Sequence, residues 1–286
     1  MTEDDVLHDA AETFAAVSHP FRLQILDALE ESEVPIRYSS LMDAVGTRNS
    51  GQLNYHLSEL VGRFVAQTEG GYRLTYQGKK LLSTILAGRY AEGEFSYATA
   101  VEGRCRRCLA AALQLRQTDQ FPRIVCDECE YTERIGPFPI GGWETRPTES
   151  VPEAVHNRTM HNAAMSIDRV CHDCASHMEA YAMENAHGYA LIPVFDCVTC
   201  TNYSPVPYPV ISWLHAEVRE FFEAREMESS AVRFWRLHEF TETDGAEIRS
   251  TNPPKAVVRF GVDDDTCEVT IGRDFTVERI ETTTAY

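Results

Sequence analysis

The chain has 286 residues, with 26 basic and 44 acidic side chains and a formal net charge of −18. This length suffices for two or three domains, and a hydrophobic content of 43% supports buried cores. The acidic excess argues against a protein that coats nucleic acid without specificity. No apolar run approaches the ~18 residues of a membrane-spanning helix, and the acidic N-terminus lacks the apolar core of a secretory signal, so we expect a cytoplasmic protein.

Charge is distributed unevenly along the chain. Residues 13–90 hold 8 basic and 7 acidic residues, whereas residues 91–286 hold 18 basic and 32 acidic residues. A segment with a net charge of −14 repels the phosphates of DNA, whereas one with a net charge of +1 does not. If any part of the chain approaches DNA, we expect it to be the first.

Three helices are predicted before residue 46, because apolar side chains recur there at helical spacing. Ser18 can cap the second of them, and Pro20 suits its first turn. The predicted segments are residues 6–17, residues 20–31 and a third helix that begins at Ser39 or Ser40 and runs through Val45.

A fourth helix is predicted to begin with Ser50 as a plausible N-cap and to end near Gly62. Leu53, Leu57 and Leu60 recur at i, i+4 and i+7, which places them on one face. In isolation this would be an ordinary amphipathic helix. The opposite face is predicted to carry side chains that can reach base edges or phosphates, namely Gln52, Asn54, Tyr55, His56 and Glu59.

A hairpin and a closing helix are predicted after the fourth helix. Two β-type runs surround Gly70 and Gly71, which is typical of a hairpin over residues 64–74. Thr75 then caps a helix over about residues 76–90.

This order of elements resembles the winged helix-turn-helix domain of ArsR-type transcriptional regulators, in the form common in salt-loving archaea. Abundant Asp and Glu with only three lysines points the same way. The cysteines with which founding members sense metals are missing from residues 1–90, so metal sensing there is not implied. The matching stretches are residues 16–26 (AVSHPFRLQIL), residues 50–60 (SGQLNYHLSEL) and residues 74–80 (LTYQGKK).

The resemblance implies that residues 1–92 form a DNA-binding domain whose fourth helix enters the major groove, and that the first and closing helices form a homodimer interface. Asn54 and Gln52 can read adenine bidentately. Arg48 and Arg63 flank the helix and would anchor phosphates, and Arg73 would reach the flanking backbone or the minor groove. The full set of predicted DNA contacts is Arg48, Asn49, Ser50, Gln52, Asn54, Tyr55, His56, Arg63 and Arg73.

Four Cys-x-x-Cys pairs dominate the second part of the chain. The first two pairs are separated by 17 residues and the last two by 22 residues, and each interval contains strand-like runs. Two such turns joined through a hairpin predict a zinc ribbon, because each turn can present two thiolates to one tetrahedral ion. We therefore expect an internal duplication, with a first ribbon at 103–140 and a connecting helix (about 153–168) plus second ribbon at 141–208. The predicted ligands are Cys105, Cys108, Cys126, Cys129, Cys171, Cys174, Cys197 and Cys200.

Other interpretations of the cysteines stay open. A lone pair could be a dithiol redox site, although four paired motifs favour structural metal. Iron is an alternative to zinc, because cysteine count does not choose between these metals. His172 and His177 lie beside one turn but are not needed as ligands, and Cys267 is expected to be a buried apolar residue.

Residues 209–286 are predicted to form a helix at about 212–227 packed on a small antiparallel sheet. The predicted fold class is therefore α+β and multidomain. This C-terminal part resembles the tail of haloarchaeal winged-helix regulators, which implies a fold but no ligand. The predicted strands cover residues 231–240, 255–262, 266–272 and 275–281.

The leading functional hypothesis is a homodimeric, sequence-specific transcriptional regulator that binds double-stranded DNA and contains two structural zinc ions. The alternative is a docking or adaptor module that uses the winged helix and the ribbons to hold another protein. A metal-dependent enzyme is not expected, because no open zinc site, phosphate loop or Ser/His/Asp signature is present, and no catalytic residue is proposed. An unidentified protein or small molecule is the effector that we expect to act at the C-terminal region.

Overall fold

The computed structural model describes residues 3–90, 95–242 and 245–284. The chain forms two compact units, Met1–Glu92 and Gly93–Tyr286, which are described separately below. The fold is α+β, with helices and several small antiparallel sheets. Residues 91–94, around the predicted end of the first domain, lie outside the described residues. Within the described ranges, no helix combines the length and apolarity needed to cross a membrane.

The first unit consists of short helices and one hairpin. Helix α2 packs against α3, α4, α5 and strand β2, so it lies at the centre of this unit. The elements are α1 (Glu3–Ala15), α2 (Pro20–Glu30), α3 (Tyr38–Ala44), α4 (Ser50–Leu60), β1 (Val65–Thr68), β2 (Gly71–Leu74) and α5 (Tyr76–Leu86).

Side-chain caps define where three of these helices begin. Thr75 caps α5 as predicted, since its hydroxyl accepts a hydrogen bond from the Gly78 amide at 3.1 Å. The other two caps differ from the prediction by one residue. His19, rather than Ser18, caps α2, and Asn49, rather than Ser50, caps α4 by accepting from the Gln52 amide at 3.1 Å. In α4 the cap is Asn49, one residue before the predicted Ser50, because an Asn side-chain oxygen can accept from first-turn amides as well as a Ser hydroxyl can.

The hairpin is held against the helices by backbone contacts. Ile36 exchanges two backbone hydrogen bonds of 2.8 Å with Tyr72, which adds a short third strand segment to β2. Gly71 makes this approach possible, because a Cβ at this position would overlap the Ile36 carbonyl. Gly78 likewise lets α5 approach the Phe64 carbonyl oxygen, where a Cβ would clash. These contacts explain the two glycines physically.

The second unit begins with two small sheets joined by helices. The first sheet has the strand order β3-β4-β5-β6 and the second has the order β7-β8-β9, and all pairings are antiparallel. The elements are β3 (Tyr97–Ala100), β4 (Leu113–Gln117), β5 (Arg123–Cys126), β6 (Thr132–Arg134), α6 (Gly141–Glu144), α7 (Val151–Ile167), β7 (Met178–Ala186), β8 (Tyr189–Cys197) and β9 (Tyr203–Pro205).

A buried amide links the first sheet to α6. The Gln117 side chain is fully buried, donates to the Phe138 carbonyl at 2.6 Å and accepts from the Trp143 indole at 2.7 Å. Both polar ends of the amide are therefore satisfied, which is the condition for burying such a group without a large cost.

The chain ends in two short helices and a four-stranded meander. The predicted single helix over 212–227 is wrong: the helical segment begins earlier and is interrupted near His215, where Arg219 donates to the freed carbonyls of Trp213 and Leu214 at 2.8 and 2.9 Å. The elements are α8 (Tyr208–Trp213), α9 (Ala216–Glu223), a 3₁₀ helix (Phe234–Phe240), β10 (Glu247–Thr251), β11 (Pro254–Val262), β12 (Asp265–Ile271) and β13 (Val277–Thr283).

The strand predicted over residues 231–240 is also wrong, because most of this segment is the 3₁₀ helix. The chain meets the sheet directly after this helix, where Thr241 forms an isolated antiparallel bridge with Phe260 of β11. Trp235 of this helix is nevertheless buried.

The C-terminal core is aromatic. Trp213, Phe222 and Phe260 meet with ring centroids 4.9 to 6.2 Å apart. Cys267 is fully buried on β12, and burial raises the pKa of its thiol to about 11. The prediction of a buried apolar role for Cys267 is confirmed.

Candidate functional site

Each of the two small sheets gathers four cysteines. One Cys-x-x-Cys turn precedes the first hairpin strand, and the second turn follows directly on the next strand, which ends at Cys126 in one sheet and Cys197 in the other. Antiparallel pairing then brings the two turns to the same end of the hairpin. The thiol sulfurs lie within 4.8 Å of one another in each cluster, which are Cys105, Cys108, Cys126 and Cys129 in the first and Cys171, Cys174, Cys197 and Cys200 in the second.

The sulfur–sulfur distances fit a shared tetrahedral ion. In the first cluster, Cys105–Cys129 and Cys108–Cys126 are each 3.6 Å apart. In the second, the corresponding distances are 3.6 and 3.4 Å. A zinc ion with Zn–S bonds of about 2.3 Å would space its ligands about 3.8 Å apart, whereas a disulfide needs about 2.05 Å. The clusters therefore have the geometry of two metal sites rather than of disulfides.

All four turns share one backbone hydrogen bond. The amide of the first cysteine in each turn donates to the carbonyl five residues later, at 2.8 to 3.0 Å. In three turns the residue after the second cysteine has a left-handed conformation, with φ of 62° at Leu109, 57° at Glu130 and 63° at Ala175. The protein backbone thus builds the same turn four times, and this aims both sulfurs of each turn at one point.

Hydrogen bonds to sulfur favour the thiolate form that a metal requires. The Arg107 amide donates to Cys105 Sγ at 3.3 Å, and the Cys200 amide donates to Cys197 Sγ at 3.3 Å. The Asn202 side-chain amide donates to Cys171 Sγ at 3.2 Å. Sequence reasoning missed Asn202, although its position two residues after the last cysteine was a signal that could have been used.

The thiols of each cluster do not ionise independently. Burial opposes ionisation of Cys126, but backbone amides of Cys129 and Glu128 and the neighbouring thiols lower its pKa to about 7. A backbone hydrogen bond from Tyr131 favours the Cys129 thiolate, but burial and the neighbouring thiols raise its pKa to about 12. One thiolate forms readily and makes the next one costly until a cation compensates the charge.

The second cluster behaves in the same way. Hydrogen bonds from the hydroxyl and backbone of Ser176, and then from Cys197, lower the pKa of Cys174 to about 6. Burial first, and then the thiols of Cys197 and Cys174, raise the pKa of Cys200 to about 12. Neither His172 nor His177 belongs to the group of atoms that could bind the ion, so the clusters consist of cysteines.

A family model described as a domain of unknown function (DUF7351) matches residues 102–277, which include both clusters and the C-terminal sheet. The chain belongs to this family. A second model, described as a domain of unknown function (DUF7347), matches residues 10–85. No curated protein and no solved structure matches the chain. The DUF7351 region thus covers both cysteine clusters, and the DUF7347 match covers most of the first unit.

Outside the DUF7351 region, helix α4 exposes most of the residues predicted to contact DNA. Tyr55 is 59% exposed. At 100° per residue, Gln52 and Asn54 lie at the two edges of the exposed face, and Tyr55 lies between them. The other exposed members of the predicted set are Arg48, Asn49, Ser50 and Arg73.

His56 is not on this exposed face, which corrects the prediction. It is only 7% exposed and shares the buried face with Leu53, Leu57 and Leu60. The position explains this, because residue 56 is three residues after Leu53 and four before Leu60. Its polar character misled the sequence interpretation.

Arg22 is the buried partner of His56, and sequence reasoning missed this role. Its Nε donates to Nδ1 of His56 at 3.2 Å, and its Nη1 donates to the carbonyls of Ala15 and Ala16 at 3.2 and 3.1 Å. A longer ion pair of 3.4 Å reaches Glu59 on α4. Arg22 therefore connects the end of α1 with α2 and α4.

Arg63 is engaged within the first unit. It forms an ion pair with Asp9 at 2.9 Å and donates to the Thr13 hydroxyl at 2.7 Å. A phosphate contact by Arg63 would have to replace Asp9. Arg48 lies just before α4 and Arg73 lies on β2, and both side chains are exposed.

Proposed function

We propose that this protein is a homodimeric, sequence-specific DNA-binding transcriptional regulator, with a winged helix-turn-helix domain of ArsR type in residues 1–92. The order α2-α3-α4, hairpin, α5 supports this topology. The observation that carries the proposal is the exposed face of α4. That face is polar. Asn49 caps the helix, and the hydrogen bond between Arg22 and His56 holds the opposite, buried face of α4 in place.

In this proposal α4 enters the major groove. Gln52 and Asn54 read bases from the two edges of the exposed face, and Tyr55 between them contacts a base or a phosphate. Arg48 before the helix and Arg73 on β2 contact the DNA backbone. Because this segment has little excess positive charge, recognition depends on short-range base contacts more than on long-range attraction. Such a balance suits the saline cytoplasm of a halophilic archaeon, where salt weakens phosphate contacts steeply.

Each four-cysteine cluster holds one structural zinc ion in this proposal. Four thiolates suit zinc and leave no open coordination position, so neither ion has a catalytic role. When bound, zinc supplies folding free energy, on the order of 10–16 kcal/mol per site in small zinc domains.

A selection experiment tests the DNA-binding proposal. The full-length, metal-loaded protein would be incubated with a random duplex library in molar potassium chloride, and bound duplexes would be amplified and sequenced. We expect an enriched inverted repeat with half-sites about one helical turn apart, since two recognition helices of a dimer are so spaced. Gel-shift competition with a scrambled duplex is the control. If no duplex is enriched, the protein-docking alternative replaces this proposal.

A further inference from the structure

A cavity of about 310 Å³ lies inside the second unit, between the two cysteine sheets. Its volume is at the lower end of the range of about 300–1,000 Å³ that is typical of small-molecule pockets. Its wall comes from residues 132–138 of the first sheet and the segment after it, from helix α7, from the β7–β8 hairpin with β9, and from residues 206–210 at the start of α8. His172 and Asn202, beside the second cysteine cluster, also line it.

The cavity wall combines apolar and polar side chains in nearly equal parts, and the apolar ones come from the sides of both sheets. Phe138 and Val155 are buried and contribute from the side of the first sheet, and Ile192 and Val206 contribute from the side of the second. Phe234 of the 3₁₀ helix completes this surface. A wall of aromatic and branched side chains provides a favourable environment for the apolar body of a ligand.

Arginine outnumbers carboxylate in the wall, whereas carboxylates outnumber cations in the chain as a whole. Arg134 on β6 and Arg158 on α7 line the cavity, and Glu133 is the only carboxylate among its lining residues in the described part of the chain. The whole chain carries a net charge of −18, so a cavity with more guanidinium than carboxylate is a local exception. Cations in a cleft with low-dielectric walls concentrate anions there.

Neighbouring groups orient both arginines. Arg158 Nε donates to the Pro137 carbonyl at 3.1 Å. The guanidinium carbon of Arg134 lies over the Phe121 ring, 3.5 Å from the ring centre, so this ring restricts the orientation of the guanidinium group. Planar guanidinium groups held in this way suit a carboxylate, which they can bind through two parallel hydrogen bonds.

The hairpin side of the wall is anchored as well. Arg106, from the first cysteine turn, stacks over the Tyr189 ring at 3.8 Å and donates to the Gly188 carbonyl at 3.3 Å. His187 Nε2 and the Tyr203 hydroxyl are 2.8 Å apart, which connects the hairpin end to β9. The cavity is thus largely formed before any ligand enters.

We propose that this cavity binds a small amphipathic organic anion, with an apolar or aromatic body and one carboxylate. The body contacts the wall around Phe138, Val155 and Phe234, and the carboxylate binds Arg134 and Arg158. This site uses residues of the second unit alone, so it does not depend on whether the first unit binds DNA.

Calorimetry with a matched series of probes tests the proposal on the metal-loaded full-length protein. The probes are 4-phenylbutyrate, its neutral amide 4-phenylbutyramide, the cation 4-phenylbutylamine and inorganic phosphate. We expect 4-phenylbutyrate to bind at least about tenfold more tightly than the amide, because charge-assisted hydrogen bonds replace neutral ones. The cation and inorganic phosphate are expected to bind more weakly still.

Variants localise the binding. Arg134→Gln and Arg158→Gln should each reduce the affinity for 4-phenylbutyrate towards that of the amide, and Thr159→Phe should block the cavity. Arg146→Gln is the control, because Arg146 is exposed and lies outside the cavity lining. Thermal melts with the metal bound confirm that each variant is folded. Equal affinity for acid and amide, tighter binding of the cation or of phosphate, or no binding to the wild-type protein would each overturn the proposal, as would both arginine variants binding like the wild-type protein.

Discussion

Nε of Arg22 donates a hydrogen bond to Nδ1 of His56 at 3.2 Å, and both side chains are buried in the first unit. Arg22 also binds the Ala15 and Ala16 carbonyls, so one guanidinium satisfies groups from α1 and α4. Burial first, and then electrostatic interactions with His19 and Arg22, lower the pKa of His56, which favours the neutral imidazole that can accept this hydrogen bond. The orientation of α4 therefore depends on a polar contact inside the core.

Replacing Arg22 with Met should destabilise the first unit. The loss should be about 2–4 kcal/mol, because buried His56 and two partly buried carbonyls lose their charged donor. Chemical denaturation followed by a probe in this unit measures the change. Arg37→Met is the matched control, since Arg37 is exposed, and it should change stability by less than about 0.5 kcal/mol. Equal losses for the two variants would contradict the proposed role of Arg22.

Gly78→Ala should destabilise the protein through steric overlap at the start of α5. An added Cβ would meet the Phe64 carbonyl oxygen, which is backbone and has little freedom to move. We expect a loss of about 1–3 kcal/mol, although alanine favours helix elsewhere. Gly70→Ala is the control, because its Cβ would make an ordinary contact of 3.5 Å with Pro35. Thermal melts of both variants compare the two positions, and a more stable Gly78→Ala protein would rule out the close approach.

If α4 reads DNA, substitutions on its exposed face should separate into two kinds. Gln52→Ala and Asn54→Ala should each reduce discrimination at particular base pairs by about 1–3 kcal/mol. Arg73→Ala should instead weaken binding to all sequences alike and reduce the salt dependence of binding by about one counterion. Competition gel shifts with single base-pair changes in the selected operator measure both effects. A uniform loss from all three variants would contradict this division of roles.

Metal stoichiometry should report on each cluster separately. Native mass spectrometry with elemental analysis should find two metal ions in the wild-type chain, and Cys108→Ser or Cys174→Ser should each reduce this number to one. Cys267→Ala is the control and should keep both ions, because Cys267 lies buried in the C-terminal core, outside both clusters. A wild-type chain with one ion or none would exclude the two-site interpretation.

The stability of the second unit should fall in mild acid because of His156. Burial, with a contribution from Arg233, lowers the pKa of His156 to about 4, and its Nδ1 accepts a hydrogen bond from the Phe234 amide at 3.1 Å. Between pH 6.5 and 4 the unfolded chain binds a proton at His156 that the folded chain does not bind, so the free energy of unfolding decreases as pH falls through this range. The contribution is up to about 3 kcal/mol.

A variant isolates this contribution from metal release, which acid also causes. His156→Gln should have a shallower decrease in stability between pH 6.5 and 4 than the wild-type protein. His161→Gln should match the wild-type slope, because His161 is exposed on the same helix. Urea melts at matched metal content measure the slopes, and parallel slopes for wild type and His156→Gln would disprove the assignment.

The two four-cysteine clusters were predictable because the residues that form each turn are close together in the sequence. Two cysteines three positions apart can form a turn by themselves, and four such turns can be combined into two clusters in only three ways. The same holds for Thr75, whose capping role depends on an amide only three residues later. The prediction for His56 was wrong because it used the polarity of the side chain and ignored its helical position, which the leucines around it already indicated.

The segment 231–240 and the buried Gln117 illustrate what local patterns lack. Whether an alternating segment becomes a strand depends on how it meets a sheet edge, and here the residue that bridges to β11 is Thr241, after the 3₁₀ helix has ended. Gln117 could be recognised as buried only once Phe138 and Trp143 were known to lie beside it. Both outcomes depend on residues distant in sequence.

The two cysteine hairpins differ in length at the end remote from the cysteines. The strands of the first have five and four residues, and those of the second have nine each, although the turns that gather the sulfurs are alike. Residue pairs can therefore be inserted or deleted at the hairpin tip without altering the metal ligands. The longer hairpin of the second sheet thereby provides an additional surface, which is the part of the cavity wall formed by His187 and Tyr189.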